Sequence, residues 1–223
     1  SVAFADIDND GALDLLRDGD TRSANRIYRF EKSGSQFVRG ANLAYVSNMK
    51  DILTADFDGS ANGLLDIFAP VYSAYGAYPL YPAQEPANTF SNHGSYNDWL
   101  PAGMKYQDLK NIACAAAKDV NLDGLPDILL GRSANLANYL FINDADLPGR
   151  LIHTTGMLPD VTANSFGTAL GDVDNDGDPD LVFANSGQNV LLLNNTIISG
   201  PSCPWDLEGG DNDVDGKDLA ALI

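Results

Sequence analysis

Three observations predict an all-β fold, a β-propeller or propeller arc of about four blades. An acidic loop of one design recurs at residues 6–14, 56–66, 119–127 and 172–180, so its starts lie 50, 63 and 53 residues apart. Short apolar and alternating runs flank each copy, as strands of period two do. No helical periodicity appears before the last few residues. A repeat of about 50 residues holding about four short strands is the mark of propeller blades. A sandwich would give no reason for the same loop to return at one place in every unit.

The elements follow in order. Val2–Ala5 reads as a strand, Asp6-Ile-Asp-Asn-Asp-Gly-Ala-Leu-Asp14 as a loop, and Leu13, Leu15 and Leu16 as the entry to a second strand. Arg26–Phe30 alternates as a third strand, Ser33-Gly-Ser35 turns the chain, and Gln36–Arg39 can form a fourth. The second unit runs from Asp51–Ala55 through a loop two residues longer, with Asn62-Gly63 where Asp-Gly is expected, to Ile67–Ala69. Residues 71–110 then carry Tyr72, Tyr75, Tyr78 and Tyr81 at a spacing of three, followed by Phe90, Tyr96, Trp99 and Tyr106. Pro79, Pro82, Pro86 and Pro101 interrupt regular structure there, so this stretch reads as a long inserted aromatic loop, in part polyproline-II. The third unit has strands at Asn111–Ala117, Ile128–Leu130, Asn138–Asn143 and Arg150–His153 around its loop at 119–127. The fourth has Phe166–Gly171, Leu181–Ala184 and Asn189–Asn194 around the loop at 172–180.

The loops state their own chemistry. Asp172-Val-Asp-Asn-Asp-Gly-Asp-Pro-Asp180 places carboxylates at alternate positions with Gly177 at the bend. Carboxylates this close repel one another, increasingly so where water is excluded. A hard divalent cation resolves the conflict. Ca²⁺ takes about 6–8 oxygen ligands, which such a loop can supply, whereas Mg²⁺ keeps its waters and prefers a tighter octahedron. Asp plus Glu number 31 against 13 Lys plus Arg, a formal charge of −18. That balance excludes a nucleic-acid binder, which needs a basic face, and disfavours an anionic membrane surface. About five calcium ions would offset more than half of the charge.

Composition bounds the rest. The 223 residues, 44% hydrophobic, suffice for one large all-β domain or two small ones. Cys114 and Cys203 are too few for a disulfide framework, and a single bridge and two unrelated thiols are equally compatible with the sequence. No apolar run reaches the roughly 18 residues of a membrane span. The chain opens on strand-like residues rather than a signal peptide, so an exported form would have lost its signal. His93 and His153 lack partners in sequence and read as loop or surface histidines. No nucleophile–base constellation is visible, and the acids are accounted for by metal ligation, so no enzyme is expected. Asn194-Asn-Thr196 fits an N-glycosylation acceptor.

The run from Val2 to Leu16 followed by Asn25-Arg-Ile-Tyr-Arg-Phe30 resembles an FG-GAP/VCBS repeat of the integrin-α-like β-propeller. Ala169–Ala184 followed by Asn189–Asn194 resembles the same repeat. The resemblance covers residues 1–198 and implies that each loop joins the first two strands of a blade and binds Ca²⁺. The implied ligands are Asp6, Asp8, Asp10, the Ala12 carbonyl and Asp14 in the first loop, and Asp56, Asp58, Asn62 and Asp66 in the second. In the third they are Asp119, Asn121, Asp123, the Leu125 carbonyl and Asp127. In the fourth they are Asp172, Asp174, Asp176, the Asp178 carbonyl and Asp180. Residues 199–223 resemble one half of a dockerin-like, EF-hand-type repeat, with Asp206, Glu208, Asp211, Asp213, Asp215 and Asp218 as candidate ligands. The implied complement is about four to five Ca²⁺.

These features lead to three functional expectations. The first is a non-catalytic extracellular module, secreted or at the cell surface, for adhesion or for binding a carbohydrate or protein ligand, with Tyr75, Tyr78 and Trp99 as candidate ligand-binding residues. The second is a structural subunit that assembles with copies of itself into a filament or surface layer. The third is an accessory domain of a larger secreted enzyme. Neither nucleic acid nor membrane insertion is expected.

Overall fold

The computed structural model describes residues 1–18, 26–34, 36–45, 50–60, 63–70, 80–81, 83–84, 89–90, 100–105, 108–153, 156–159 and 162–196. Asn62, Tyr75, Tyr78, Trp99 and His93 lie outside the described residues, as do Cys203 and all six candidate ligands of the tail. Every regular element longer than a single turn among the described residues is a strand. The fold is therefore all-β, built of several small antiparallel sheets. The chain divides into two compact units, Ser1–Ile112 with Leu147–Arg150, and Ala113–Asp146 with Leu151–Ile223.

In the first unit β1 (Val2–Ala5), β2 (Asp14–Asp18), β3 (Arg26–Ser33) and β4 (Gln36–Tyr45) form a meander in chain order. The first acidic loop closes its opening hairpin, with Ala5 opposite Asp14. Next come β5 (Leu53–Ala55), β6 (Asp66–Phe68) and β7 (Leu80–Tyr81), paired in that order. The second acidic loop joins β5 to β6, with Ala55 opposite Asp66. A two-strand ribbon of β8 (Ala83–Gln84) and β9 (Thr89–Phe90) follows. The predicted inserted loop thus holds three short strands. Proline stops strands from growing but not from pairing over two residues, and Pro82 separates β7 from β8. Ile7, Leu16, Phe57, Ile67 and Phe68 are buried in this unit. The Phe57 and Phe68 rings pack at 6.4 Å, a tilted aromatic pair.

The second unit repeats the plan. β10 (Ile112–Lys118), β11 (Asp127–Arg132), β13 (Tyr139–Asn143) and β14 (Leu151–Ile152) form one sheet, from which β12 (Leu136–Ala137) leaves to pair with β15 (Thr162–Ala163). β16 (Ser165–Gly171), β17 (Asp180–Asn185) and β18 (Val190–Leu192) form the next sheet. Both sheets share one core of Val120, Leu129, Leu140, Leu181, Phe183 and Leu192. Each such side chain contributes about 1.5–3 kcal/mol on burial. Gly131 on β11 is held to its identity by packing. A methyl group there would overlap Cys114 Sγ and press on Ser165 and Thr168. His153, expected as a loop or surface residue, is half-buried. Its ring meets Tyr139 and Phe141 edge-on, and Nδ1 stands 3.1 Å from the Leu140 carbonyl.

Candidate metal centres

Each loop reverses the chain through left-handed backbone at its fourth position, where Asn9, Gly59, Leu122 and Asn175 have φ of 57°, 60°, 60° and 64°. Asparagine and glycine take this conformation readily, while a leucine does so at a cost of about 1–2 kcal/mol. In the first, third and fourth loops a glycine follows two residues on, with φ of 86°, 94° and 102° at Gly11, Gly124 and Gly177. The bend turns backbone amides inward onto the first aspartate. Asp10 and Gly11 N–H donate to Asp6 at 2.9 and 2.8 Å. Asp123 and Gly124 donate to Asp119 at 3.1 and 2.8 Å, and Asn175 and Gly177 to Asp172 at 2.6 and 3.2 Å. The fifth position caps the amide two residues on, with Ala12, Leu125 and Asp178 donating to Asp10, Asp123 and Asp176. These are Asx turns, which explains why aspartate rather than glutamate fills the positions.

The last aspartate of each loop is the buried one. Asp14, Asp66, Asp127 and Asp180 are all at most 1% exposed. Each accepts from the backbone N–H of the second loop residue, namely Ile7, Phe57, Val120 and Val173. Asp127 and Asp180 also accept from Asn143 and Asn194, each at 2.8 Å, so they tie the loop to the far end of the sheet's third strand. Sequence reasoning took these four residues only as candidate ligands. The structure gives them a second task, satisfying backbone donors that burial would otherwise strand. Burial pushes the Asp127 carboxyl up to about 7 despite those two donors, with Asp123 and Asp119 adding to the shift.

Three groups of acids converge so that ligand oxygens lie within 4.8 Å of one another: Asp6, Asp8 and Asp10; Asp56, Asp58 and Asp66; and Asp172, Asp174 and Asp180. In the third loop no such group of three carboxylates forms among the described residues. Asn121 occupies its third position and donates to Asp123 at 2.9 Å. Two loops add features that sequence did not show. Asp14 is turned to Arg29, whose Nε lies 2.9 Å from it, and the same guanidinium hydrogen-bonds Asp8 Oδ2. Asp178, expected to offer only its carbonyl, is itself buried and accepts from Thr196 N–H at 2.7 Å.

Unpartnered buried atoms in the loops fit a cation. Asp8 Oδ1, Asp56 Oδ1 and Asp178 Oδ1 are buried without a hydrogen-bond partner. A buried carboxylate oxygen left alone is costly, and a cation is the partner it fits. Burial raises the pKa of Asp56, reinforced by the charge of Asp58. Burial also raises Asp178 to about 6, with Asp176 and Asp180 adding and the Thr196 hydrogen bond opposing. The donor set is hard oxygen throughout, which suits Ca²⁺ or Mg²⁺ rather than a thiolate- or imidazole-seeking metal.

Fold and loops together define, among the described residues, an all-β architecture in which four hairpins are closed by acidic turns. Residues 119–183, which contain the third and fourth loops, match the FG-GAP-like repeat family model. No curated protein matches the chain at a significant level. Among solved structures it is similar to BBS1N, crystallised in complex with ARL6DN and soaked with lead, at 12% identity and a TM-score of 0.49 over 85% of this chain. It is similar to the Vibrio cholerae biofilm matrix protein Bap1 at 17% identity and 0.43 over 82%. Bacillus licheniformis rhamnogalacturonan lyase gives 16% identity and 0.47 over 82%. The chain spans 52%, 23% and 39% of the lengths of those three chains, respectively.

Proposed function

We propose that this chain is a non-catalytic, calcium-binding β-propeller module or propeller arc of about four blades that acts outside the cell, in adhesion or in binding a carbohydrate or protein ligand. The observation that carries the calcium reading is the set of buried, unpartnered carboxylate oxygens on Asp8, Asp56 and Asp178 inside loops of one recurring design. Asp6, Asp8 and Asp10 would hold an ion in the first loop, Asp56, Asp58 and Asp66 in the second, and Asp172, Asp174 and Asp180 in the fourth. Asp119, Asn121 and Asp123 are the counterparts in the third. A bound ion would supply the charge that desolvated carboxylates lack, so its binding energy becomes folding energy. The protein's own residues do the remaining work. The buried aspartates hold the loop to the sheet, the Asx turns aim the oxygens inward, and the small residues at the bend let the backbone close.

Isothermal titration calorimetry of the chelator-treated protein tests the metal reading. The expected result is uptake of about four to five Ca²⁺, with Mg²⁺ at equal concentration failing to displace it. Absence of uptake would overturn the reading. Recognition is tested by a glycan array with the wild type and with Tyr75, Tyr78 and Trp99 replaced by Ala. Loss of a calcium-dependent signal supports a carbohydrate ligand. Polymers that form with calcium and dissolve in chelator, seen by electron microscopy, would redirect the reading to self-assembly.

A further inference from the structure

The first and fourth loops are not electrostatically equal, and one side chain contributes to the difference. Arg29 is buried on β3, where it faces Leu16 of β2. Its guanidinium hydrogen-bonds Asp8 Oδ2, its Nε lies 2.9 Å from Asp14 Oδ2, and its Nη1 lies 3.8 Å from Glu31. Arg29 thus pairs with two of the four aspartates of the first loop. The first loop therefore brings four carboxylates and a fixed cation, and the fourth loop brings five carboxylates with no such cation among the described residues. Asp8 is divided between two tasks, since Oδ2 faces Arg29 while Oδ1 is buried and unpartnered beside Asp6 and Asp10.

The geometry points to Arg29 as a residue that weakens the first loop's calcium site relative to the fourth, so that it loads later and empties sooner. This inference rests on the calcium reading above. A guanidinium bonded to one oxygen of a ligating carboxylate repels an ion on the other oxygen and draws electron density away from it. At a separation of about 6 Å, a unit charge facing a divalent ion lowers its affinity about tenfold even in a water-like dielectric. The same contact stabilises the metal-free loop, because Asp8 and Asp14 already have a counter-charge. The fourth loop has only the cation to wait for.

The test is a calcium titration of the full chain by calorimetry, with ion number read by native mass spectrometry. Asp10→Ala and Asp174→Ala each remove an exposed acid from one loop and spare the buried aspartates. Asp10→Ala is expected to remove a weaker step of the wild-type titration, and Asp174→Ala a step about tenfold tighter. Arg29→Met, neutral and of similar length, is expected to tighten the first-loop step about tenfold, while Arg29→Lys leaves it weak. A first-loop step as tight as the fourth, or unmoved by Arg29→Met, would overturn the inference and leave the calcium reading standing. Wild-type protein that takes up no calcium would overturn both. If Arg29→Met fails to fold, Arg29→Gln, neutral and still able to hydrogen-bond Asp8 and Asp14, carries the same expectation and the same power to overturn the inference.

Discussion

The first and fourth loops share a backbone and differ in how their charge is met. Both run from an aspartate that gathers two amides, through an asparagine in left-handed conformation and a glycine, to a buried aspartate bonded to the second loop residue. In the first, Arg29 closes the acid cluster from within the protein. In the fourth, Asp178 and Asp180 are buried and tied only to backbone amides of Thr196, Val173 and Asn194. Loop geometry and charge balance are thus separable. Short-range Asx hydrogen bonds set the turn, and whatever cation is within reach sets its stability.

Removing divalent ions should expose that difference most strongly. On the calcium reading proposed above, each occupied site would contribute roughly 2.7 kcal/mol at calcium about a hundredfold above its dissociation constant. Chelation of two or more sites should lower Tm by about 10 °C or more in a chain of this size. Hydrogen exchange should rise in 172–180 and β17 far more than in 6–14 and β2. Equal loss in both would break the comparison. Deleting the internal cation is the converse experiment. Arg29→Met leaves Asp8 and Asp14 without their counter-charge, and it should destabilise the chelated protein by about 3–5 kcal/mol in denaturant melts, with part restored by calcium.

Acidity sharpens the same point. The folded-state pKa of Asp127 is raised to about 7 and that of Asp178 to about 6, both mainly by burial. A carboxyl raised in the folded state disfavours folding once it must ionise. The chelated protein should therefore be most stable near pH 4 and lose stability as pH rises toward 7. Calcium should reverse the slope, since it binds the ionised form. A melting series across that range, with and without calcium, reads the crossover. The smallest effect concerns the turn alone. Leu122 stands at φ 60° where the first and fourth loops have Asn. Leu122→Asn should stabilise the third loop by about 1 kcal/mol in a denaturant melt, with or without calcium.

The turn was legible in sequence because its causes are local. Aspartates at alternate positions and glycine at the bend all act within nine residues, and the strands on either side carry period-two signals. The hairpin β1–β2 and its equivalents follow directly. Arg29 was not legible as a partner of Asp8 because it lies 21 residues away. It sits on an alternating strand, and only the pairing of Leu16 with Arg29 shows that it comes inside. A charged residue in the register of a buried leucine was the available signal. The side-chain contact of Asp178 was not legible because its partner, Thr196, lies 18 residues on, beyond the last strand. The β12–β15 ribbon was missed because two-residue ladders carry no periodicity. The tail and the aromatic triad of Tyr75, Tyr78 and Trp99 fall outside the described residues, so their reading rests on sequence alone.

Asn194 carries a practical consequence. It is the acceptor of an Asn-Asn-Thr acceptor sequence, yet it is fully buried. Its Nδ2 donates to the carbonyls of Val120 and Pro179 at 2.7 and 3.2 Å, and Thr196 Oγ1 donates to its Oδ1. An oligosaccharide on that nitrogen would occupy the seam between the third loop and the last strand and would remove the donors that close it. A host that attaches glycans during synthesis would therefore yield two populations. Unmodified chains would close this seam, and modified chains would be retained or degraded. Asn194→Gln is no remedy, because its longer side chain cannot reproduce both contacts. Thr196→Ser preserves the hydroxyl and also the acceptor sequence. Production in a non-glycosylating host is the route to homogeneous protein.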